Sequence, residues 1–357
     1  MSFWERPRPE EPEKPFSTIH VKTRLRKPAP YPIINRSGFD LRFPGGLPIL
    51  KGGCFRVLDA AVAGDAPKDF LRIYRYGDGR RSNPRGWPGW IAKVGHKYYP
   101  NESVTEHLLT RIGQALEIKV ADSELMWFGP QLRFMSRYFL NGREQSLVHG
   151  AEIFAGHLAD RDFVEEVERT NQSRNLFTFQ FVEEALKSRF PDHWEHLVAD
   201  FTRLLAFDAI VGNNDRHFYN WGVVLDVQSR RVPRFSPVYD TARALYWNTT
   251  DVRLAEIAGD RARQAAHQEK YVLRCFPKTG WDGMGTPNHF DLMRAISTSR
   301  PELGTLLREI PVEGLSSRIK HLFDTEFRDL MSPLRTEFIH RCLDRRATLF
   351  HEAVANP

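Results

Sequence analysis

The sequence predicts an α+β protein of two lobes, a small strand-rich one followed by a larger, mainly helical one. Three observations lead there. Short apolar runs of strand length crowd residues 33–145. From residue 146 onward the apolar residues fall at helical spacing, and a single hairpin, 221–240, interrupts those helices. At 357 residues the chain can bury one large bilobal core or two domains, and 41% hydrophobic with 27% charged residues is ordinary for a globular protein.

Residues 1–32 hold seven prolines among alternating charges and read as an extended arm. Within 33–145, the pattern over 33–72 is weak. Residues 75–90 follow as a flexible basic loop, with glycines 77, 79, 86 and 89 beside Arg80, Arg81 and Arg85. Such glycines would let backbone amides approach phosphate oxygens, although no Gly-x-Gly-x-x-Gly or Walker pattern is present and a plain surface loop fits equally. Trp90-Ile91-Ala92-Lys93-Val94 is a short apolar strand with one lysine embedded, which is costly unless the ammonium meets an anion. A helix follows, with Ser103 as N-cap and Leu108, Leu109, Ile112 and Leu116 as its buried stripe. Glu106 reads two ways: as the partner of Lys93, or as the fourth residue of a Ser103-x-x-Glu106 capping box, with Glu102 as the fallback partner. Leu132–Leu140 is a strand ending at the Asn141-Gly142 turn signal. Backbone groups near Ser136 to Tyr138 could pair with adenine, or the segment could be a plain core strand.

The second lobe, 146–357, carries the densest chemistry. Phe201, Leu204, Leu205 and Asp208 to Ile210 follow helical spacing and Gly212 stops that helix. Residues 212–220 read Gly-Asn-Asn-Asp-Arg-His-Phe-Tyr-Asn, then Trp221–Leu225 is a strand, Asp226–Arg230 a turn and Arg231–Val238 a returning strand. The segment 236–243 closes the hairpin and brings Asp240 back beside Asn220. This order suits metal-assisted phosphoryl transfer. Asp215 would orient and deprotonate an attacking hydroxyl; Asn220 and Asp240 would hold magnesium against nucleotide phosphates; Lys93, oriented by Glu106, would hold those phosphates. Arg216 and His217 read as positional, and Asn213 and Asn214 fit an ordinary turn equally well. Late helices fall at 315–330 and 333–352, the second with Leu334, Phe338, Cys342 and Leu349 as its stripe.

The 212–220 loop followed by Ser236-Pro237-Val238-Tyr239-Asp240 resembles the catalytic core of HipA-like serine/threonine kinases, with their Gly-Asn-x-Asp-x-His-x-x-Asn loop and Pro-x-Tyr-Asp segment. The resemblance implies a bilobal protein-kinase-like fold, ATP and Mg2+ as cofactors, Asp215 as base, and Asn220 and Asp240 as metal ligands. It also implies a protein substrate, a small helix-turn-helix antitoxin as partner, and autophosphorylation at Ser82 in the 75–90 loop. The chain departs from the pattern at Phe218-Tyr219, where many relatives carry a lysine. The loop is also similar to the Asp-Arg-His-x-x-Asn of phosphoinositide kinases. Phosphoinositide or small-molecule phosphorylation, and a catalytically inactive kinase-like binding module, are therefore the rival functions.

Composition narrows the partners. The net charge of +6 and pI near 9.2 attract anions, yet no aromatic-basic signature accompanies them, so direct nucleic-acid binding is not expected. No run approaches the roughly 18 apolar residues of a membrane span. Cys54, Cys275 and Cys342 are few, odd in number and far apart, and Met1 to Phe16 is not an apolar leader, so a cytoplasmic setting with reduced thiols is expected. The histidines form no ligand-spaced cluster, so no zinc site is expected.

Overall fold

The computed structural model describes residues 22–355 apart from 27–29, 44, 60–65, 142–143 and 229. The first lobe is built on β1 (Lys22–Arg26), β2 (Phe55–Asp59), β3 (Lys68–Ile73), β4 (Gly89–Lys93), α1 (Asn101–Ala115), β5 (Ser123–Phe128) and β6 (Gln131–Arg137). The strands form one antiparallel sheet in the order β1-β2-β3-β4-β6-β5. Residues 22–26 of the proline-rich segment thus supply its edge strand, while residues 1–21 and the turn residue Gly142 lie outside the described residues.

Alternation along β4 sorts the sheet into two faces. Trp90 and Ala92 join Val57, Leu71, Met126 and Met135 in a small core on one face. Ile91 and Lys93 therefore point to the other face, where α1 packs on β5 and β6 and extends the main core through Leu108, Leu109 and Ile112. On the first face a fully buried ion pair, Arg133 Nη1 to Asp69 Oδ2 at 3.0 Å, links β6 to β3.

The second lobe continues with β7 (Gln145–His149), α2 (Gly150–Leu158), α3 (Arg161–Arg169), α4 (Ser173–Leu176), α5 (Phe179–Arg189), α6 (Trp194–Val211), β8 (Gly222–Asp226) and β9 (Arg234–Phe235). It closes with α7 (Asp251–Ala258), α8 (Arg261–Leu273), α9 (His289–Ser299), α10 (Pro301–Arg308), α11 (Leu315–Thr325) and α12 (Pro333–Ala355). Helix α6 is its axis, buried without a break from Leu204 to Val211, because α5, α9, α10 and α12 all pack around it. The stripe expected on α12 is offset: Leu334 and Leu349 are only partly buried, and the buried line runs through Phe338, Ile339, Cys342, Leu343, Arg346 and Phe350.

The small sheet β7-β8-β9 presents the hairpin to the first lobe. The lobes are stitched there by backbone, Val238 N–H donating to Lys119 O at 2.8 Å and Ala121 N–H to Val238 O at 3.0 Å. Gly150 lets the start of α2 meet the 212–220 loop, since a Cβ there would lie 2.6 Å from Trp221 and 2.8 Å from the Phe218 carbonyl. Among the described residues no helix is long and apolar enough to cross a membrane.

Candidate active site

Lys93 ends β4 and points at α1, and there it meets Glu106: Nζ donates to Oε1 at 2.6 Å, with both side chains almost fully buried. The same ammonium lies 3.2 Å from Asp240 Oδ1, reaching across from one lobe to the other. Phe134, directly opposite Lys93 on β6, places its ring 5.6 Å from Nζ. The electrostatics follow from these contacts. Burial opposes the Lys93 charge, but the Asp240 and Glu106 carboxylates outweigh it and raise the pKa. Enclosure alone would raise Asp240, yet Lys93, Lys68 and Arg216 bring it down to about 2. Glu106 is pushed up, because its burial exceeds what Lys93 gives back.

Asp215 and Asn220 form the other half of the site. Gly212 ends α6 in the left-handed conformation (φ 74°) that a helix stop favours. The loop then folds on itself: Asn213 Oδ1 accepts from Asp215 N–H at 3.2 Å, and Asn220 Nδ2 donates to the Asp215 carbonyl at 3.0 Å. Asn220 Nδ2 is also 3.1 Å from His217 Nε2. The bond to the Asp215 carbonyl uses the nitrogen end of the Asn220 amide and leaves Oδ1 as the end that can face a metal.

Arg216 ties the two halves together. Its guanidinium forks onto Asp208 of α6 at 2.9 and 3.0 Å, and Nη1 donates to the carbonyls of Asn220 (2.9 Å) and Tyr239 (2.7 Å). Both residues of the pair are buried, and the carbonyls belong to one expected metal ligand and to the neighbour of the other. Asp240 itself sits in the left-handed region (φ 55°), uncommon for a residue with a side chain, directly after the Tyr239 carbonyl that Arg216 holds. His217 has a positional role as well, its Nδ1 accepting from Tyr219 N–H at 3.3 Å.

Three expectations need correction. The helix that carries Glu106 starts at Asn101 with Pro100 at the cap, so Ser103 lies inside it and the Ser103-x-x-Glu106 box does not form. A proline has no N–H to lose at a helix entry, and Ser103 Oγ instead accepts from Gly95 N–H at 3.2 Å. Glu102, the fallback partner, accepts from the amides of Lys97 and Tyr98 at 2.7 Å each. For the basic 75–90 loop the phosphate alternative gives way to the plain surface loop. Strand register pairs Lys68 with Lys93 and Arg72 with Gly89, so that loop, with exposed Ser82, leaves the sheet at the end away from Lys93. The separation is four residues, about 13 Å of strand. The chain that runs from β2 to β3 enters the sheet beside Lys93; its residues 60–65 lie outside the described residues.

Ser136 and Tyr138 are placed where β6 meets β4, but part of their backbone is committed. Ser136 pairs with Ile91 and Ser123, Arg137 N–H donates to Asp122 O, and Tyr138 N–H donates to Gly89 O at 2.9 Å. The Tyr138 carbonyl and the Phe139 N–H have no backbone partner among the described residues. Sequence reasoning missed three contributors. Lys68 is the register partner of Lys93 and its charge acts on both Glu106 and Asp240. Arg243 places Nε 3.2 Å from Asp215 Oδ2. Glu326 grips α1 from the second lobe, with Oε1 2.8 Å from His107 and Oε2 2.8 Å from Arg111.

A strand-rich lobe with a buried lysine–glutamate pair, set against a helical lobe whose acid-bearing segment reaches that lysine, defines a kinase-like fold. The family model of the HipA-like C-terminal domain matches residues 60–300, and the chain belongs to that family. The serine/threonine-protein kinase CtkA of Helicobacter pylori strain J99 is 22% identical over 248 residues, 70% of each chain. The crystal structure of a Helicobacter pylori proinflammatory kinase CtkA superposes with a TM-score of 0.61 at 17% identity, covering 80% of this chain and 94% of that one, and shows the same fold. The HipA of a Shewanella oneidensis toxin–antitoxin system, solved with HipB and its operator DNA, gives 0.45 at 15% identity over 90% and 67% of the two chains.

Proposed function

We propose that the protein is an ATP- and Mg2+-dependent phosphotransferase acting on serine or threonine hydroxyls of a protein substrate. The observation that carries this reading is the Lys93 ammonium held between Glu106 at 2.6 Å and Asp240 at 3.2 Å. A buried lysine bridging two carboxylates from different lobes has little structural use that a hydrophobic residue would not serve better. It is placed to donate to phosphate oxygens.

The donor set suits magnesium. Among the described residues no group of three or more acidic, histidine or cysteine side chains converges. A metal here would be held by the Asp240 carboxylate and Asn220 Oδ1 and completed by phosphate and water oxygens, as Mg2+ prefers. Magnesium, when bound, would neutralise charge on the transferring phosphate. Lys93 would orient the phosphates, Asp215 would hold the acceptor hydroxyl and take its proton, and the Tyr138 carbonyl and Phe139 N–H would receive adenine. An inactive binding module would lack one of these groups, and none is missing. Family resemblance also implies a helix-turn-helix antitoxin partner, which co-purification would reveal.

Radiolabelled ATP transfer tests the assignment. Asp215→Ala should abolish transfer and leave nucleotide binding largely intact, while Asp240→Ala should weaken magnesium-dependent binding as well. Wild-type transfer rates in both variants would refute it.

A further inference from the structure

The phosphotransferase reading leaves the acceptor unnamed, and the surface beyond Asp215 carries information about it. A cavity of about 330 Å³ opens beside the start of the catalytic loop, at Asn214, and runs to the end of α8. Arg243, His267, Lys270 and Arg274 line it, and no carboxylate among the described residues does. Arg243 stands at the edge next to Asp215, its guanidinium 5.8 Å from the Trp247 ring. Lys270 and Arg274 are exposed. Burial and then the charges of Arg253, Lys270 and Arg263 lower the pKa of His267, and its Nδ1 is buried without a hydrogen-bond partner among the described residues.

The helix dipole favours cations at a helix C-terminus, which accounts for Lys270 and Arg274 one at a time. It does not account for Arg243, which arrives from the segment after Asp240, nor for a lining without any acid. Neighbouring cations repel one another, and the arrangement is stabilised by an anion placed among them.

We propose that this pocket receives an anionic side chain flanking the acceptor hydroxyl, so that the protein substrate is acidic or phosphorylated next to its target residue. This inference rests on the phosphotransferase reading. A carboxylate or phosphate in the pocket would also compete with Asp215 for Arg243 and free the Asp215 carboxylate to face the hydroxyl. Recognition and activation of the base would then be one event.

Fluorescein-labelled serine peptides flanked by Glu, by phosphoserine or by Lys provide the test, read by anisotropy and by phosphate transfer from MgATP. The anionic peptides should bind at least about tenfold more tightly than the Lys-flanked one, and the Glu and phosphoserine arms separate a carboxylate from a phosphate source. Combined Lys270→Glu and Arg274→Glu should remove roughly that tenfold discrimination, with melting temperature as the folding control. Lys320→Glu on α11, outside the pocket, should keep it. Equal binding of Glu- and Lys-flanked peptides, discrimination that survives the double reversal, or tighter binding of single-stranded RNA would overturn the proposal. Anionic-peptide binding that depends on Lys270 and Arg274 without any phosphate transfer would retain the pocket and reject the phosphotransferase reading. Transfer without discrimination would do the reverse.

Discussion

Glu106→Gln separates what the lysine–glutamate pair does for folding from what it does for chemistry. The change keeps the shape of the side chain and removes its charge. Breaking a buried ion pair usually costs several kcal/mol because a charge is stranded. Here Lys93 keeps Asp240 at 3.2 Å, so the ammonium is not stranded. Glu106 is itself disfavoured as an anion, since burial raises its pKa despite Lys93. The melting temperature of the variant should therefore be unchanged or higher. Activity should fall. One charge-assisted hydrogen bond is worth about 1.5–3 kcal/mol, which corresponds to roughly 10- to 150-fold in kcat/KM for MgATP. Lys93 would also settle on Asp240 and compete with the metal, so half-saturation should require more magnesium. The assay is steady-state phosphate transfer over a magnesium series, with thermal melts in parallel. A kcat/KM within twofold of wild type, or a loss that tracks a lowered melting temperature, would refute this division of roles.

Three further outcomes follow from neighbouring contacts. Arg216→Lys keeps one charge but loses the fork onto Asp208 and the two carbonyl bonds, and should cost roughly 2–4 kcal/mol in denaturant melts, with transfer lost in the fraction that stays folded. Glu326→Gln should barely change stability, since the carboxylate is about a third exposed. It should nevertheless raise KM for ATP severalfold by loosening α1, and an unchanged KM would show that α1 needs no such grip. For Asp240 the sign is that of a depressed carboxylate. Its contribution is fully present above the ordinary 3.8 and is lost as pH falls through about 2. The stability gap between wild type and Asp240→Asn should thus close between pH 4 and 2, and a gap constant over that range would contradict the pairing with Lys93.

The 212–220 loop was legible as a loop because its signals are local. Asp215, Asn220 and Asp240 fall in one loop and one hairpin, and turn residues announce both. Lys93 was legible for another reason, the cost of an ammonium in an apolar strand. The misses share the opposite property. Ser103 looks like a helix cap in sequence, but a contact with Gly95, eight residues earlier, takes its hydroxyl. Glycine and arginine content left 75–90 open between a phosphate loop and a plain surface loop, because composition does not say which end of a strand a loop leaves from; the Lys68–Lys93 register does. Arg243 and Glu326 act through partners 28 and more than 200 residues away, and no pattern within a window reaches that far.

These distant contacts explain why the local motif works at all. The loop and the Tyr239–Asp240 segment are separate pieces of chain, and neither is regular secondary structure that would fix its own geometry. Arg216 supplies the missing constraint, because its planar fork is anchored on the buried Asp208 of α6, the most enclosed helix of the second lobe. Both carbonyls it binds, Asn220 and Tyr239, then inherit the rigidity of that helix. On the opposite side Glu326 and the Lys119–Val238 backbone pairing hold the first lobe in register. The acid-bearing half is thus fixed from below and the lysine-bearing half from both lobes. The Asp215–Arg243 pair at 3.2 Å is partly exposed on both sides and made between side chains alone, whereas the Lys93 end of the Lys93–Asp240 contact is buried, so an acceptor proposed to bind beside Asp215 would exchange the former without disturbing the frame.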